Sequence, residues 1–299
     1  VTGPLWIEGV SLAPMTSWRI GGPARAFAEP ATPEKLIALR REAEKLGWPV
    51  FLIGGGSNIL IADEGYSGLV IRYADRLHRI DTRGSEARIW AGARMPLARL
   101  ARESAQQGWA GLVWAEGIPG TIAGAIVGNA GAYGGDIASV LEEVEIVLPD
   151  GALETWPAAR LAHGYRRSIL KGQEPTGPVI TGAVFRMVRD DPVRLNQEVQ
   201  RIAAERRART PVGASCGSVF RNPPGGPSAG RLLEEAGCKL MQCGGAVVSD
   251  IHANYIVNKG GATARDIISL IDEIRSRVRA ASGIELDLEI QLVGFRDSC

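Results

Sequence analysis

With 299 residues, 34 basic and 33 acidic side chains and a net charge of +1, the chain has room for two domains or three small ones and no overall field to attract a polyanion. Its 45% apolar and 22% charged content is that of a globular protein; a disordered chain, a collagen and a coiled coil are excluded, and nucleic acid is disfavoured as the main partner. Glycine alone departs: 38 residues, nearly twice the usual share of roughly 7%, so many positions need a positive φ or a close backbone approach.

Cys216, Cys238, Cys243 and Cys299 form no CxxC pair and have few histidines around them, so no metal site is expected and a reducing cytosol fits. The first residues, VTGPLWIEGV, lack the basic region and apolar core of a secretory signal. Residues 117–135 carry no charge and approach the roughly 20 residues of a membrane span. Their seven glycines, a proline and Asn129 argue instead for a soluble, backbone-exposing segment, and no membrane insertion or obligate protein partner is expected.

In chain order, Thr32-Pro33 opens a helix over 33–47 with Leu36, Leu39 and Ala43 on one face. Val50 to Ile53 reads as a strand ending in Gly54, Gly55 and Gly56, GLVIRY and ARIWAGA as further strands, and the segment from Met95 as a helix. Gly120, Gly124 and Gly128 recur every fourth residue, which on a helix would make a smooth ridge. Val144–Pro149 and Val179–Val188 read as strands, Pro192–Arg207 as a helix, and Tyr255–Val257 as a strand. Thr263 with Asp266 three residues on opens a long helix with Ile267, Ile268, Leu270, Ile271, Ile274 and Val278 toward a core. A last strand, IELDLEIQLVG, places Glu285, Asp287 and Glu289 on one face, a pattern that is usually just solvated.

Chemistry concentrates at the glycines. A glycine loop after a strand lets peptide N–H groups reach phosphate oxygens, and two separated loops suit an extended diphosphate cofactor, although turns and tight packing explain glycine clusters equally well. Neither the Rossmann fingerprint nor a Walker motif is present. Tyr165, Arg166, Arg167 and Ser168 lie in a polar loop where an arginine can clamp an anion or stay at the surface, and Arg206, Arg207 and Arg209 end a helix, where cations favour the dipole. Ser218 is outside any GxSxG elbow, and the scattered His78, His163 and His252 default to structural roles.

Taken in order, SWRIGGPA, GGGSN, GIPGTIAGAIVGNAGAYGGD, GYRRS, GSVFRNP and the closing LDLE resemble the UDP-N-acetylenolpyruvoylglucosamine reductase family over nearly the whole chain. The resemblance implies an α+β fold: a two-part FAD-binding region of the vanillyl-alcohol-oxidase (PCMH) type over 1–80 and 81–207, and an α+β substrate-binding domain over 208–299. It implies a cytoplasmic, NADPH-dependent, FAD-mediated reduction of UDP-N-acetylglucosamine enolpyruvate to UDP-N-acetylmuramate in peptidoglycan precursor synthesis. By the same resemblance Arg166 and Glu289 polarise the substrate carboxylate, Glu289 donating a hydrogen bond only if protonated, and Ser218 delivers the proton. Noncovalent FAD is implied along Gly54, Gly55, Gly56, Ser57, Asn58, Gly117, Gly120, Thr121, Gly124, Asn129 and Ala132, and the sugar nucleotide near Tyr165, Arg209, Asn222, Lys239 and His252. Cys216, Ala214 and Leu240 depart from the family's frequent alanine, proline and glycine, and the span from Arg166 to Ser218 is short for the tyrosine-bearing insertion of one subclass. The alternatives are another FAD-dependent oxidase or dehydrogenase of the same superfamily, or a sugar-nucleotide-binding protein without redox chemistry.

Overall fold

The computed structural model describes residues 5–173 and 177–295; Cys299 lies outside them. The chain forms two compact units from interleaved segments. The first comprises Val1–Ile7, Ala26–Gly55 and Gly68–Arg206, the second Glu8–Arg25, Gly56–Ser67 and Arg207–Cys299.

The first unit is built on an antiparallel sheet whose strands lie in the order Leu153–Pro157, Leu141–Val147, Val179–Arg189, Glu86–Gly92, His78–Arg83. Alternation puts Ile89, Ala91, Val144, Ile146, Ala183 and Phe185 on one face. They pack against Leu97, Leu100 and Ala101 of helix α2 (Leu97–Gln106) and Ile122, Ala125 and Ile126 of helix α3 (Ile122–Val127). The strand expected at Val144–Pro149 ends at Val147, because Pro149-Asp150-Gly151 makes a turn in which Gly151 N–H donates to Leu148. Beside this core, Val50–Leu52 pairs in parallel with Leu69–Ile71, and helix α1 (Pro33–Lys45) covers them with Leu36, Leu39 and Ala43. Thr32 Oγ1 accepts from Lys35 N–H at 3.4 Å and Pro33 occupies the first helical position, as the sequence requires. Helix α4 (Pro192–Arg209) runs two residues beyond its expected end.

In the second unit a small antiparallel sheet, Gln242–Cys243, Ala246–Val248 and Ile256–Asn258, packs with helix α5 (Ala229–Glu235) and helix α6 (Ala264–Ser282). Its core joins Ile267, Leu270, Ile271, Ile274 and Val278 to Val219, Phe220, Leu232, Leu233, Val248 and Ile256. Thr263 and Asp266 close the expected capping box, and Asp63 adds a second cap by accepting from Ala264 and Arg265 N–H at 2.8 and 3.1 Å.

Two expectations need correction. The glycine ridge does not form: α3 is six residues long, Gly120 lies before it with φ 115° and Gly128 caps it, so only Gly124 is helical. The closing strand is not continuous. Leu288 bridges Phe220 in antiparallel fashion, whereas Gln291–Val293 pairs in parallel with Ile59–Ile61. The period-two pattern survives as far as Ile290, with Leu286 and Ile290 buried; beyond it the phase shifts, Leu292 being exposed and Val293 buried. Among the described residues no helix is long and apolar enough to cross a membrane.

Candidate functional site

Two glycine clusters of the first unit pack closely against each other. A Cβ on Gly54 would stand 2.7 Å from Thr121 Oγ1, and one on Gly55 2.9 Å from Gly120 Cα and 3.6 Å from Thr121 N. Gly120 (φ 115°) and Gly117 (φ 69°) hold conformations that side-chain-bearing residues rarely adopt, and a Cβ on Gly117 would crowd Arg206 Nε at 2.9 Å. Thr121 Oγ1 accepts from Gly124 N–H at 3.4 Å, which fixes the turn into α3. Peptide N–H groups reach phosphate oxygens only where no side chain intrudes, so the residues of these two close-packed loops of the first unit could hold a dinucleotide diphosphate.

Beyond α3 the chain returns in a tight hairpin: Ala132 pairs with Gly135 across Tyr133 (φ 50°) and Gly134 (φ 81°), the positive-φ pair that two-residue hairpins favour. Asn129, buried and at φ 42°, spends its side chain internally. Its Nδ2 donates to Asp136 Oδ2 at 3.2 Å and to Gly164 O at 3.1 Å, and its Oδ1 accepts from Ala138 N–H at 3.0 Å. The bond to Gly164 ties the glycine segment to the Tyr165-Arg166 turn, whose ends close through Gly164 N–H to Arg167 O and Arg167 N–H to Gly164 O. Arg166 is the third residue of this turn, at φ 55° where glycine is the usual choice. Its guanidinium donates to Gly131 O at 3.1 Å and lies 5.4 Å from the centre of the Tyr165 ring. Ser168 Oγ donates to Val127 O at 2.8 Å and His163 Nε2 pairs with Ile126 O at 2.9 Å, so this polar loop is fastened to α3 at several points.

In the second unit Gly56 is buried at φ 63°, where a Cβ would fall on the Met15 carbonyl, and its own carbonyl accepts from Ser17 N–H at 2.9 Å. Ser57 follows it. Asn58 Nδ2 donates to Glu289 O at 3.0 Å, and Asn58 O accepts from Gln291 N–H at 2.9 Å. The end of the GGGSN segment thereby grips the backbone on both sides of residue 290. Of the three carboxylates foreseen on one face, Glu285 is exposed and paired with Arg279 at 3.1 Å and Asp287 is exposed, whereas Glu289 is half-buried. Ser218 is half-buried after Gly217 (φ 85°). The neighbouring Cys216 thiol is pushed well above its usual range, first by burial and then by the Glu289 carboxylate, so it stays protonated and unreactive.

Of the residues expected near the sugar nucleotide, Tyr165 lies in the first unit and the other four are spread along this one. Asn222 Oδ1 accepts from Ala229 N–H at 3.0 Å at the start of α5, Lys239 pairs with Glu234 at 2.8 Å, and Arg209 is exposed at the end of α4. His252 stacks on Tyr255 with ring centres 4.9 Å apart, and its Nδ1 accepts from Asn254 N–H at 3.2 Å. Burial lowers its pKa, with Glu234 opposing the shift.

The chain matches the FAD binding domain family over residues 24–156 and the family described as UDP-N-acetylenolpyruvoylglucosamine reductase, C-terminal domain, over 208–293. It is 47% identical, over 93% of its length and 94% of the relative's, to the UDP-N-acetylenolpyruvoylglucosamine reductase of Chloroflexus aggregans. The chain belongs to the UDP-N-acetylenolpyruvoylglucosamine reductase family. A second reductase, from Rubrobacter xylanophilus, is 42% identical over 93% of the chain and 92% of that protein. The crystal structure of the reductase from Thermus caldophilus superposes with a TM-score of 0.81 at 35% identity, covering 96% of this chain and 98% of that one.

Some residues that shape these units were not singled out from the sequence. Asp63 caps α6 from a segment two hundred residues away, and Asn254 binds the backbone next to Ser218. Leu240, singled out in the sequence only as a departure from the resemblance, carries φ 63°, a conformation that favours glycine.

Proposed function

We propose that this chain reduces UDP-N-acetylglucosamine enolpyruvate to UDP-N-acetylmuramate, with NADPH as electron donor and noncovalent FAD, as a cytoplasmic step of peptidoglycan precursor synthesis that needs no protein partner. The observation that carries the reading is kinship with named reductases over 93% of the chain. The close approach of Gly54 and Gly55 to Gly120 and Thr121, which leaves no room for a Cβ on either of the first two, supports it from the structure.

In this reading residues 1–80 and 81–207 hold the cofactor and 208–299 the sugar nucleotide. Peptide groups of Gly54, Gly55, Gly117, Gly120, Thr121 and Gly124 hold the diphosphate, with Gly56, Ser57 and Ala132 along the same cofactor. Asn129 and Asn58 act through the backbone they fasten, since their side chains are already engaged. Bound FAD supplies a hydride to the enolpyruvyl methylene carbon. The charge that develops spreads from the adjacent carbon into the carboxylate, which Arg166, with a fixed guanidinium, and Glu289 polarise. Ser218 Oγ gives its proton to that carbon, completing the lactyl group, and solvent returns a proton to the serine. A hydroxyl is a weak acid, but the enolate carbon is strongly basic and the donor is held in advance. Tyr165, Arg209, Asn222, Lys239 and His252 orient the sugar nucleotide.

The test is product identity. Incubated with NADPH and the enolpyruvyl sugar nucleotide, the flavin-loaded protein should yield a product heavier by two hydrogens with a lactyl ether by mass spectrometry and NMR. Unchanged substrate, beside oxidation of an alcohol or sugar by the same preparation, would favour the oxidase alternative; a colourless folded protein that takes up no FAD would favour the binding protein.

A further inference from the structure

Ser218 is the proposed proton donor, yet among the described residues no hydrogen bond of its hydroxyl is found, so its place depends on the backbone that follows it. That backbone is fully accounted for. Val219 N–H donates to Asn254 O at 2.9 Å, and Phe220 N–H donates to Asn254 Oδ1 at 2.9 Å. Asn254 Nδ2 donates to Phe220 O at 2.8 Å. Val219 O accepts from Glu289 N–H at 2.8 Å and Arg221 N–H donates to Asp287 O at 2.9 Å. Five consecutive backbone N–H and C=O groups, from Val219 to Arg221, are satisfied, three of them by one asparagine that is itself only 3% exposed.

The side-chain amide pairs with both groups of Phe220 as a neighbouring strand would, and the opposite amide orientation would set donor against donor and acceptor against acceptor, so its direction is fixed by its partners. Val219, held by Asn254 on its N–H, carries Glu289 on its carbonyl. One residue thus sets the backbone beside Ser218 and, through Val219, that of Glu289.

We infer that Asn254 is a positioning residue that holds Ser218 and Glu289 in register with each other for protonation of the substrate carbon; the inference rests on the roles proposed above for those two residues. Burial alone would be met more cheaply by an apolar side chain if the 219–221 segment had another strand beside it, but the small sheet ends at Gln242–Cys243 on one side and Ile256–Asn258 on the other, so the asparagine stands where a strand is lacking.

The test uses the holoenzyme with Asn254→Asp, which keeps shape and one acceptor but removes the donor to Phe220 O, in parallel with Ser218→Ala. Displacement of a donor by about 1 Å costs on the order of 100-fold. Reoxidation of the reduced flavin by substrate should therefore slow by about that factor and acquire a larger solvent deuterium isotope effect, while flavin reduction by NADPH stays within about twofold of wild type. A merely structural asparagine would depress both half-reactions together and leave the isotope effect alone; that result, or normal reoxidation in Asn254→Asp, overturns the inference. If Ser218→Ala reoxidises normally, the functional reading beneath it fails instead. Should Asn254→Asp not fold, hydrogen exchange in the wild-type holoenzyme decides: the amides of Val219, Phe220 and Glu289 should open together as one slow unit, and fast, independent exchange contradicts the clamp.

Discussion

Gly55→Ala is the sharpest perturbation of the cofactor surface. Gly55 does not have a positive φ, so alanine brings no backbone strain, only a Cβ 2.9 Å from Gly120 Cα and 3.4 Å from Gly120 C. Both neighbours are backbone and cannot rotate away, so the two loops must part by roughly 0.5 Å, and overpacking of this kind costs about 1–3 kcal/mol. If that strain is relieved by distorting the surface that holds the diphosphate, FAD binding weakens by about 5- to 150-fold. Gly128→Ala is the control, because its Cβ would meet only Gly124 O at 3.5 Å, an ordinary contact, and the residue is outside the proposed cofactor set. Titration of FAD into both apoproteins, followed by flavin fluorescence, measures the effect. Equal affinity for Gly55→Ala and wild type would refute the reasoning that the two loops form one cofactor surface.

Ser218→Ala should leave flavin reduction by NADPH near the wild-type rate and slow reoxidation by substrate by about 100-fold or more in rapid-mixing experiments; equal loss in both halves would contradict the assigned role. Glu289→Gln should lower kcat more than it raises KM in steady-state assays, since a hydrogen bond that strengthens as charge develops acts on turnover. The His252 pKa lies below its ordinary value because of burial, so an unfolded chain takes up a proton that the folded one refuses. Folding stability at this residue is present above about pH 6.5 and is lost as pH falls toward the folded value. Urea unfolding from about pH 7 to about pH 5 should show a smaller loss of stability in His252→Gln than in wild type. Leu240→Gly should raise the melting temperature, because it relieves a left-handed conformation costing about 1–2 kcal/mol and removes a side chain that is 66% exposed.

Local signals in the sequence were explicit where one segment decides its own conformation. Thr32-Pro33 and Thr263 with Asp266 state where two helices begin, and both begin there. The closing segment shows the limit: alternation from Ile284 to Val293 specifies extended backbone but not which strand lies alongside, and the partner changes from Phe220 to Ile59–Ile61 within a few residues. Fold class was legible because the pattern of elements and the ordered motifs agree along the whole chain. The interleaving of Glu8–Arg25 and Gly56–Ser67 with the C-terminal segment was not, since apolar periodicity carries no label for the core it joins. In the candidate site, the glycines announced a backbone surface, yet only the fold shows that Gly55 meets Gly120. Asn254 was silent because its meaning lies in Val219 and Phe220, more than thirty residues earlier.

The measurement that bears most directly on the proposed reaction is anaerobic and optical. The flavin-loaded protein is bleached with one equivalent of NADPH, and the enolpyruvyl sugar nucleotide is then added without oxygen. Return of the oxidised flavin spectrum in step with loss of the enol ether is the predicted result; a flavin that stays bleached while the substrate remains intact would contradict it.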